Sequence, residues 1–344
     1  STPEEVCVDL PERAQFVRVN IETVERIDSQ RVQACVVKDA GDDPDVTNGC
    51  RVRVTLSPRS EDGIRFVAGK GVGTITKPGF SFGIGEAAIN PVPRQMVEQN
   101  LAKVLTAHRQ SAPCGWEVCV SVDHGGELAR KTYNPRLGII GGISILGTKG
   151  IVEPKSLASW LASIELYVKI ALAGQSNEIV LAPGNIGQSF AEQTRNLPSE
   201  RVVQMANFVG FTIDLVEQEL RRQDRKLERL WMVGHPGKLA KLLENQWDTH
   251  SGVSPMAMRG VSRLVAEFGF SKEIVERCRQ APTVEGIIQI LRSVEHSELV
   301  WQHIEKKLAV LLQARLPSVD EVCVLLFDMK KARLSEPQLV TENA

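Results

Sequence analysis

The sequence carries almost no net charge, and its seven cysteines form no Cys-x-x-Cys pair. With 41 basic and 42 acidic residues the formal net charge is −1, so no overall field favours nucleic acid or an anionic membrane. The odd number of cysteines favours reduced thiols in a cytosol over a disulfide framework or a zinc ribbon. We therefore expect a cytoplasmic protein without a nucleic-acid partner.

Long apolar runs and a signal peptide are absent as well. The longest apolar stretch, around Leu137 to Leu146, is too short to span a bilayer, which takes ~20 residues. Ser1 in place of Met suggests that the native start is missing. No membrane partner is expected.

Several ligand-binding motifs are also missing. There is no Gly-x-Gly-x-x-Gly and no Gly-x-Ser-x-Gly, which argues against a standard dinucleotide fold and against an α/β-hydrolase. The segment from Gly142 to Lys149 resembles a P-loop, but Thr148 precedes Lys149, the reverse of the required order. This reversal argues against a nucleoside triphosphate site.

No metal site is predicted. His296 and His303 are seven positions apart, which is not a chelating spacing on a helix. A calcium loop starting at Asp43 would have Asn48 at its sixth position, where glycine is needed, and it lacks the distal glutamate.

The first part of the chain predicts an α+β domain over residues 1–133. Asn90 and Pro91 are typical of a helix start, with apolar residues then repeating at helical spacing. Around this helix lie four short, β-branched segments separated by turn residues, which predict strands at Val6 to Leu10, Arg31 to Lys38, Arg51 to Leu56 and Trp116 to Val122.

The second part, residues 134–344, predicts an α/β domain with a parallel sheet. Strand and helix patterns alternate, with helices after Ser156 and after Ser199. The second helix is expected to bury Val202, Val203, Val209 and Val216. Buried strands are predicted at Leu137 to Leu146, Glu178 to Ala182, Leu230 to Val233 and Val322 to Phe327.

Three glycine-rich loops follow these predicted strands, at residues 147–150, 183–187 and 234–237. Ligands of open parallel sheets bind beyond the carboxyl ends of the strands, and glycine lets backbone N–H groups approach a ligand closely. Each loop alone is explained equally well as a tight turn. The three together predict a shared small-molecule site on one sheet edge, which His235 would face.

Two loops of the first part leave their role open. The segment from Lys38 to Gly49 carries four aspartates, and these residues suit a solvated turn and a proton-handling or cation-binding site equally well. The segment from Gly69 to Gly79 is a flexible loop in which Lys77 could meet an anionic substrate, although a hairpin connection explains it better.

At these segments the sequence resembles the CbiD family, the cobalt-precorrin-5B C1-methyltransferases of the anaerobic cobalamin route. The similar segments are Val36 to Thr47, Gly71 to Thr74, Thr76 to Gly79, Glu86, Ala88 to Arg94, Asn134 to Gly138, Gly141 to Thr148, Gly150 to Pro154, Pro183 to Asn185, Gly234 to Lys238 and Asp248 to Ser251. Two features depart from the family. The usual Thr-Thr-Gly-Thr-Cys start is absent, and Asn48 stands where histidine is common.

The resemblance implies a domain like the second domain of ribosomal protein S5, followed by a Rossmann-like domain. It also implies methylation of C-1 of cobalt-precorrin-5B, giving cobalt-precorrin-6A, with S-adenosyl-L-methionine as the methyl donor. The alternatives are a nucleotide-dependent transferase and a non-catalytic tetrapyrrole-binding protein. The sequence leaves a monomer and a homo-oligomer equally open.

Candidate site residues follow from the loops and the resemblance together. Proton uptake is assigned to Asp39, Asp42 or His235, or to no residue. The donor is expected to contact Gly141, Gly142, Ser144, Gly147, Thr148, Glu153, Gly184, Asn185 and Gly234. The polycarboxylate corrinoid is expected to contact Lys38, Asp43, Asp45, Lys77, Arg94, Lys131, Asn134 and Arg136.

Overall fold

A computed structural model divides the chain into two compact units, Ser1–Ala162 and Ser163–Ala344. We call them unit 1 and unit 2. The boundary predicted from sequence, between residues 133 and 134, falls inside unit 1. The structure describes residues 3–10, 16–41, 45–108, 114–147, 157–174, 176–195, 197–250, 252 and 257–336.

Unit 1 is built on a five-stranded sheet in the order β3-β4-β5-β9-β6, beside a separate β1-β2 hairpin. All neighbours in the large sheet are antiparallel except β6, which runs parallel to β9. The strands are β1 (Glu5–Asp9), β2 (Phe16–Asn20), β3 (Thr23–Arg26), β4 (Val32–Val37), β5 (Arg51–Arg59), β6 (Gly63–Ala68), β7 (Gly71–Val72), β8 (Thr74–Ile75), β9 (Gly115–Val122), β10 (Ile139–Ile140) and β11 (Gly142–Ile143).

The first four predicted strands are confirmed as β1, β4, β5 and β9. In β9, Val118, Val120 and Val122 are buried, because alternate side chains of a strand point to the same face. The helices of unit 1 are α1 (Pro91–His108), α2 (Gly125–Ala129) and α3 (Asn134–Leu137), and α1 begins at Pro91 as predicted.

The prediction of one buried strand from Leu137 to Leu146 is wrong. Leu137 ends α3, and Gly138 and Gly141 have φ values of 78° and 92°, which interrupt extended backbone. Only two short strands form, and they pair inside unit 1: β10 with β8, and β11 in parallel with β7.

Unit 2 contains a parallel sheet in the order β13-β12-β14-β15, which confirms the predicted parallel arrangement. Two short 3-10 helices lie at Ser199–Arg201 and Ala240–Glu244. Helix α4 (Leu157–Ala173) begins in unit 1 and ends in unit 2. The longer elements that follow it are β12 (Glu178–Ala182), α5 (Asn185–Arg195), β13 (Val202–Gln204), α6 (Val209–Arg222), β14 (Leu227–Gly234), α7 (Pro236–Leu239), α8 (Met258–Glu267), α9 (Lys272–Gln280), α10 (Val284–Leu291), α11 (Glu298–Gln313) and β15 (Val319–Leu326).

Helices cover both faces of this sheet. Phe190 of α5 packs with Val180 and Val233 on one face, whereas Ile213 of α6 and Ile304 of α11 belong to the core on the other. The later residues of β12, β14 and β15 are accordingly apolar, as expected of parallel strands buried on both faces, whereas charged residues such as Glu178, Arg229 and Glu321 lie nearer their amino ends.

One predicted helix of unit 2 begins later than expected. Val202 and Val203 lie in β13, and the helix starts only at Val209. Val209 and Val216 are fully buried in α6, as predicted. Among the described residues, none of the helices has the length and apolar character needed to cross a membrane.

Candidate functional site

The carboxyl edge of the parallel sheet is the first candidate site. The chain leaves β12 for β13 on one side and continues from β14 to β15 on the other. Connections that diverge in this way open a crevice at the strand ends, where ligands of open α/β sheets bind. Gly184, Asn185 and Gly234, which the sequence assigns to donor binding as an expectation, lie at this edge.

Gly184 leaves unfilled space beside the backbone. Its φ is 91°, and an added Cβ would meet no atom within 4 Å. The Gly184 carbonyl accepts a hydrogen bond from Gln188 N–H at 3.2 Å, and Asn185 Oδ1 accepts one from Gln204 Nε2 at 2.5 Å. The loop is thus held by α5 and β13 while the space next to Gly184 is available to a ligand.

Gly234 serves close packing. An added Cβ would lie 2.8 Å from Leu239 Cδ1 and 3.1 Å from Pro183 Cγ. The absence of a side chain therefore allows the ends of β12 and β14 to approach each other.

Both ring nitrogens of His235 have partners within the fold. Nδ1 accepts a hydrogen bond from Gly237 N–H at 3.0 Å and caps α7, and Nε2 lies 3.0 Å from Glu285 Oε2. Burial alone would raise the pKa of Glu285, but hydrogen bonds from His235, Gln289 and the Met329 backbone lower it below its usual value. Glu285 therefore stays ionised and connects the ends of β14 and β15.

A pair of lysines was missed by sequence reasoning. Lys238 Nζ donates to Asn207 Oδ1 at 2.9 Å, and the buried Lys241 donates to the Thr249 carbonyl at 3.0 Å. Thr249 N–H in turn donates to the Asn207 carbonyl at 3.0 Å. The sequence feature that could have indicated this pair is Lys238, which directly follows the glycine-rich loop after β14.

The end of β15 is fixed by a buried ion pair. Asp328 is fully buried and pairs with Arg292, and its Oδ1 accepts backbone hydrogen bonds from Lys330 and Ala332, each at 2.8 Å. The turn places Lys331 Nζ 2.7 Å from Ser189 Oγ of α5. The turn after β15 is thereby connected to α5, the helix that follows β12.

The second group of predicted residues lies in unit 1. Asn134 is buried, donates from Nδ2 to the Gly142 carbonyl at 3.1 Å, and accepts from Ser144 Oγ at 3.1 Å. Gly141 is held at positive φ, and Gly147 packs against Pro93.

Gly142 belongs to a glycine cluster, which we define as Gly71, Gly73, Gly125 and Gly142. An added Cβ on Gly142 would overlap the carbonyl of Gly71, and one on Gly73 would lie 2.9 Å from the Gly142 oxygen. The prediction that three glycine loops share one sheet edge is therefore wrong, because the segment around Gly142 pairs with β7 in unit 1.

The predicted cations of unit 1 occupy different environments. The aliphatic part of Lys77 packs against Gly138, and the guanidinium of Arg136 lies 5.7 Å from the centre of the Tyr133 ring. Lys131 is exposed. Lys77 therefore lies beside the residue that ends α3, the helix that contains Arg136.

Arg94 is committed to local structure. Its guanidinium stacks 3.6 Å from the centre of the Phe82 ring, pairs with Glu86 at 3.0 Å, and donates to the carbonyls of Ala87 and Ile89, each at 3.0 Å. These contacts use donors on Nε and on both terminal nitrogens of Arg94. They favour a role of Arg94 in positioning residues 86–94 over a role in binding a ligand.

We expect Arg94→Met to lower the free energy of unfolding by about 2 kcal/mol, because two carbonyls lose their donors and the stacked cation is removed. Denaturant unfolding measures the change. The exposed Arg26→Met change is the control and should have almost no effect. Normal stability of Arg94→Met together with weakened corrinoid binding would instead support a substrate contact.

The described residues of the loop between β4 and β5, 38–41 and 45–50, are held by hydrogen bonds among themselves. Lys38 pairs with Asp45 and donates to Thr47 Oγ1 at 2.6 Å, while Asn48 Oδ1 accepts from Ala40 N–H at 2.9 Å. Burial would raise the pKa of Asp45, but hydrogen bonds from Lys38 and Thr47 lower it below its usual value.

Asp39 is exposed, and its Oδ1 accepts from Gly41 N–H at 2.8 Å. Four predicted site residues, Asp42, Asp43, Thr148 and Glu153, lie outside the described residues.

A separate groove of about 540 Å³ lies in unit 2 between the 3-10 helix at Ala240–Glu244, α8 and α11. Its floor is apolar, and its basic rim is partly neutralised, since Arg263 pairs with Glu244 at 3.0 Å and Lys307 with Glu267 at 3.7 Å. No predicted site residue lines it.

Comparison with known proteins decides the family. The CbiD family model matches residues 1–154, and the model of the CbiD C-terminal domain matches residues 248–337. The chain belongs to the CbiD family. Among CbiD relatives, a cobalt-precorrin-5B C(1)-methyltransferase from Chromobacterium violaceum is 44% identical over 97% of this chain and 88% of its own length.

Another relative of the same name, from Ralstonia nicotianae, is 44% identical over 95% of this chain and 85% of its own. A 1.9 Å crystal structure of the cobalamin biosynthesis protein CbiD from Archaeoglobus fulgidus is 24% identical, covers 72% of this chain and 73% of that chain, and gives a TM-score of 0.35. That score is too low to assign the fold.

Proposed function

We propose that this CbiD chain is a cobalt-precorrin-5B C(1)-methyltransferase of cobalamin biosynthesis. The single observation that carries the proposal is the 44% identity with a protein of that name over 97% of this chain. Unit 1 is proposed to be S5 domain 2-like and unit 2 Rossmann-like, and the strand order β13-β12-β14-β15 supports the second part. We place the enzyme in the cytoplasm.

S-adenosyl-L-methionine is proposed as the methyl donor, since its sulfonium supplies an activated methyl group. The edge of unit 2 fits such a molecule in one respect: the open space at the Cβ position of Gly184 leaves room for a ligand against the backbone, and the next residue, Asn185, carries an amide. Gly184 and Asn185 would hold the donor there, while Gly234 keeps the ends of β12 and β14 close together.

The residues of the chain would act chiefly by orientation. Holding two reactants in near-attack geometry can lower the activation barrier by about 7–11 kcal/mol, without a covalent role for the protein. We assign no proton transfer to His235, because both its ring nitrogens have partners in the fold. Asp39 keeps an exposed carboxylate and stays a candidate proton acceptor. Lys77, Lys131 and Arg136 are proposed to meet corrinoid carboxylates.

Methyl transfer is tested by incubating the purified chain with cobalt-precorrin-5B and donor labelled in the methyl group. We expect one labelled methyl on C-1 of the corrinoid, located by NMR, and formation of S-adenosylhomocysteine. Reaction only with ATP and magnesium would favour a nucleotide-dependent transferase. Tight binding of the macrocycle without methylation would favour a tetrapyrrole-binding protein.

A further inference from the structure

The carboxyl ends of β13 and β14 hold a positive charge that the described part of unit 2 does not neutralise. Lys238 is half-buried, and Asn207 Oδ1 is its hydrogen-bond acceptor at 2.9 Å. No carboxylate of a described residue forms an ion pair with the ammonium group of Lys238. An ammonium carries three donors, so two of them have no acceptor among the described residues.

A second lysine, Lys241, acts on the charge of Lys238. Lys241 is 4% exposed and is held by the Thr249 carbonyl at 3.0 Å. Burial, and then the positive charge of Lys241, lower the pKa of Lys238 below its usual value. A like charge nearby makes the ionised form of Lys238 less favourable, and an anion bound to Lys238 would offset this cost.

The surrounding fold holds this cation in a fixed place. Asn207 follows β13 and is tied to Thr249 through a backbone hydrogen bond of 3.0 Å, while Lys238 lies in α7 directly after the β14 loop. Both elements are at the edge where Gly184 and Asn185 also lie. The amide nitrogen of Asn207 can add N–H donors to those of Lys238.

We propose that Lys238 and Asn207 form a carboxylate-binding subsite at this edge. The inference rests on the proposed function, since both reactants of the methyl transfer carry carboxylates. One source is the amino-acid end of the donor, and the other is a peripheral carboxylate of the corrinoid.

The test is isothermal titration of Lys238→Met with S-adenosylhomocysteine and, separately, with cobalt-precorrin-5B. Loss of a charged hydrogen bond should weaken binding of one probe about tenfold to a hundredfold. A loss confined to S-adenosylhomocysteine assigns the subsite to the donor, and a loss confined to the corrinoid assigns it to the acceptor. Lys238→Arg should restore part of the affinity, and the melting temperature of Lys238→Met should be unchanged or raised, because an unpaired cation has been removed.

Lys226→Met is the matched control, since Lys226 is exposed and precedes the opposite, amino end of β14. It should bind both probes like the wild type. Unchanged affinities in Lys238→Met, or equal losses accompanied by a lower melting temperature, would overturn the subsite while leaving the proposed function intact. A wild-type chain that binds neither probe would overturn both.

Discussion

Gly142→Ala is expected to destabilise unit 1 by about 3 kcal/mol or more, at the upper end of the overpacking range. A methyl group there would overlap the Gly71 carbonyl and approach the carbonyl carbon of Val72, which are backbone atoms that cannot rotate away. Either β7 and β11 separate or the hydrogen bond from Gly73 N–H to the Ile143 carbonyl, 2.9 Å long, is lost. Denaturant unfolding followed by circular dichroism measures the loss.

Gly83→Ala provides the control for this experiment. Gly83 is exposed, an added Cβ would meet nothing within 4 Å, and its φ lies outside the positive range. Its stability should change by only about 0.5 kcal/mol. If Gly142→Ala is as stable as Gly83→Ala but loses donor affinity, Gly142 borders the donor and the packing explanation fails.

Arg292→Met is expected to destabilise unit 2 by about 3–5 kcal/mol, because it leaves the carboxylate of Asp328 buried without its counter-ion. Asp328 is fully buried, and its remaining partners are backbone N–H groups of the following turn. Thermal melting and denaturant unfolding measure the effect. Donor affinity should fall as well, since the turn also places Lys331 against α5.

The double variant Arg292→Met with Asp328→Asn separates charge from packing. It should recover part of the lost stability, because the uncompensated charge is gone. Arg279→Met is the control, since Arg279 forms only an exposed pair with Glu276 at 3.8 Å, a contact worth little. Equal effects of Arg279→Met and Arg292→Met would contradict the importance of the buried pair.

Sequence reasoning recovers elements whose pattern is local. The β-branched segments became β4, β5 and β9, the Pro91 start became α1, and the apolar segment before Pro183 became β12. It fails where pairing with residues distant in the sequence determines the local structure. From Leu137 to Leu146 the apolar run is continuous, but pairing with β7 and β8, together with glycines at positive φ, divides it into short pieces.

The region around Val202 fails for a related reason. Val202 and Val203 fit a helical spacing of apolar residues that continues to Val209. The same spacing therefore extends over both the strand β13 and the helix α6. Helix α5 was missed because its polar sequence has few apolar positions, although Phe190 is buried.

The position of the candidate site could be predicted only in part. Glycine loops after strands identified the edge at Gly184 and Gly234, because that rule depends only on topology. Sequence could not show that Gly142 and Arg94 serve packing, since Gly71 and Phe82 approach them only in the folded chain. It also missed Lys238, whose significance depends on having no carboxylate partner among the described residues.

The strand order has a consequence for synthesis on the ribosome. β14 pairs with β12 and with β15, but helices α8 to α11 separate β14 from β15 along the chain. A nascent chain that has emerged only as far as α10 therefore exposes one side of an apolar strand, and at about 5–20 residues per second this state lasts for seconds. Chaperone dependence should be greatest during that interval, and products of premature termination before β15 should aggregate.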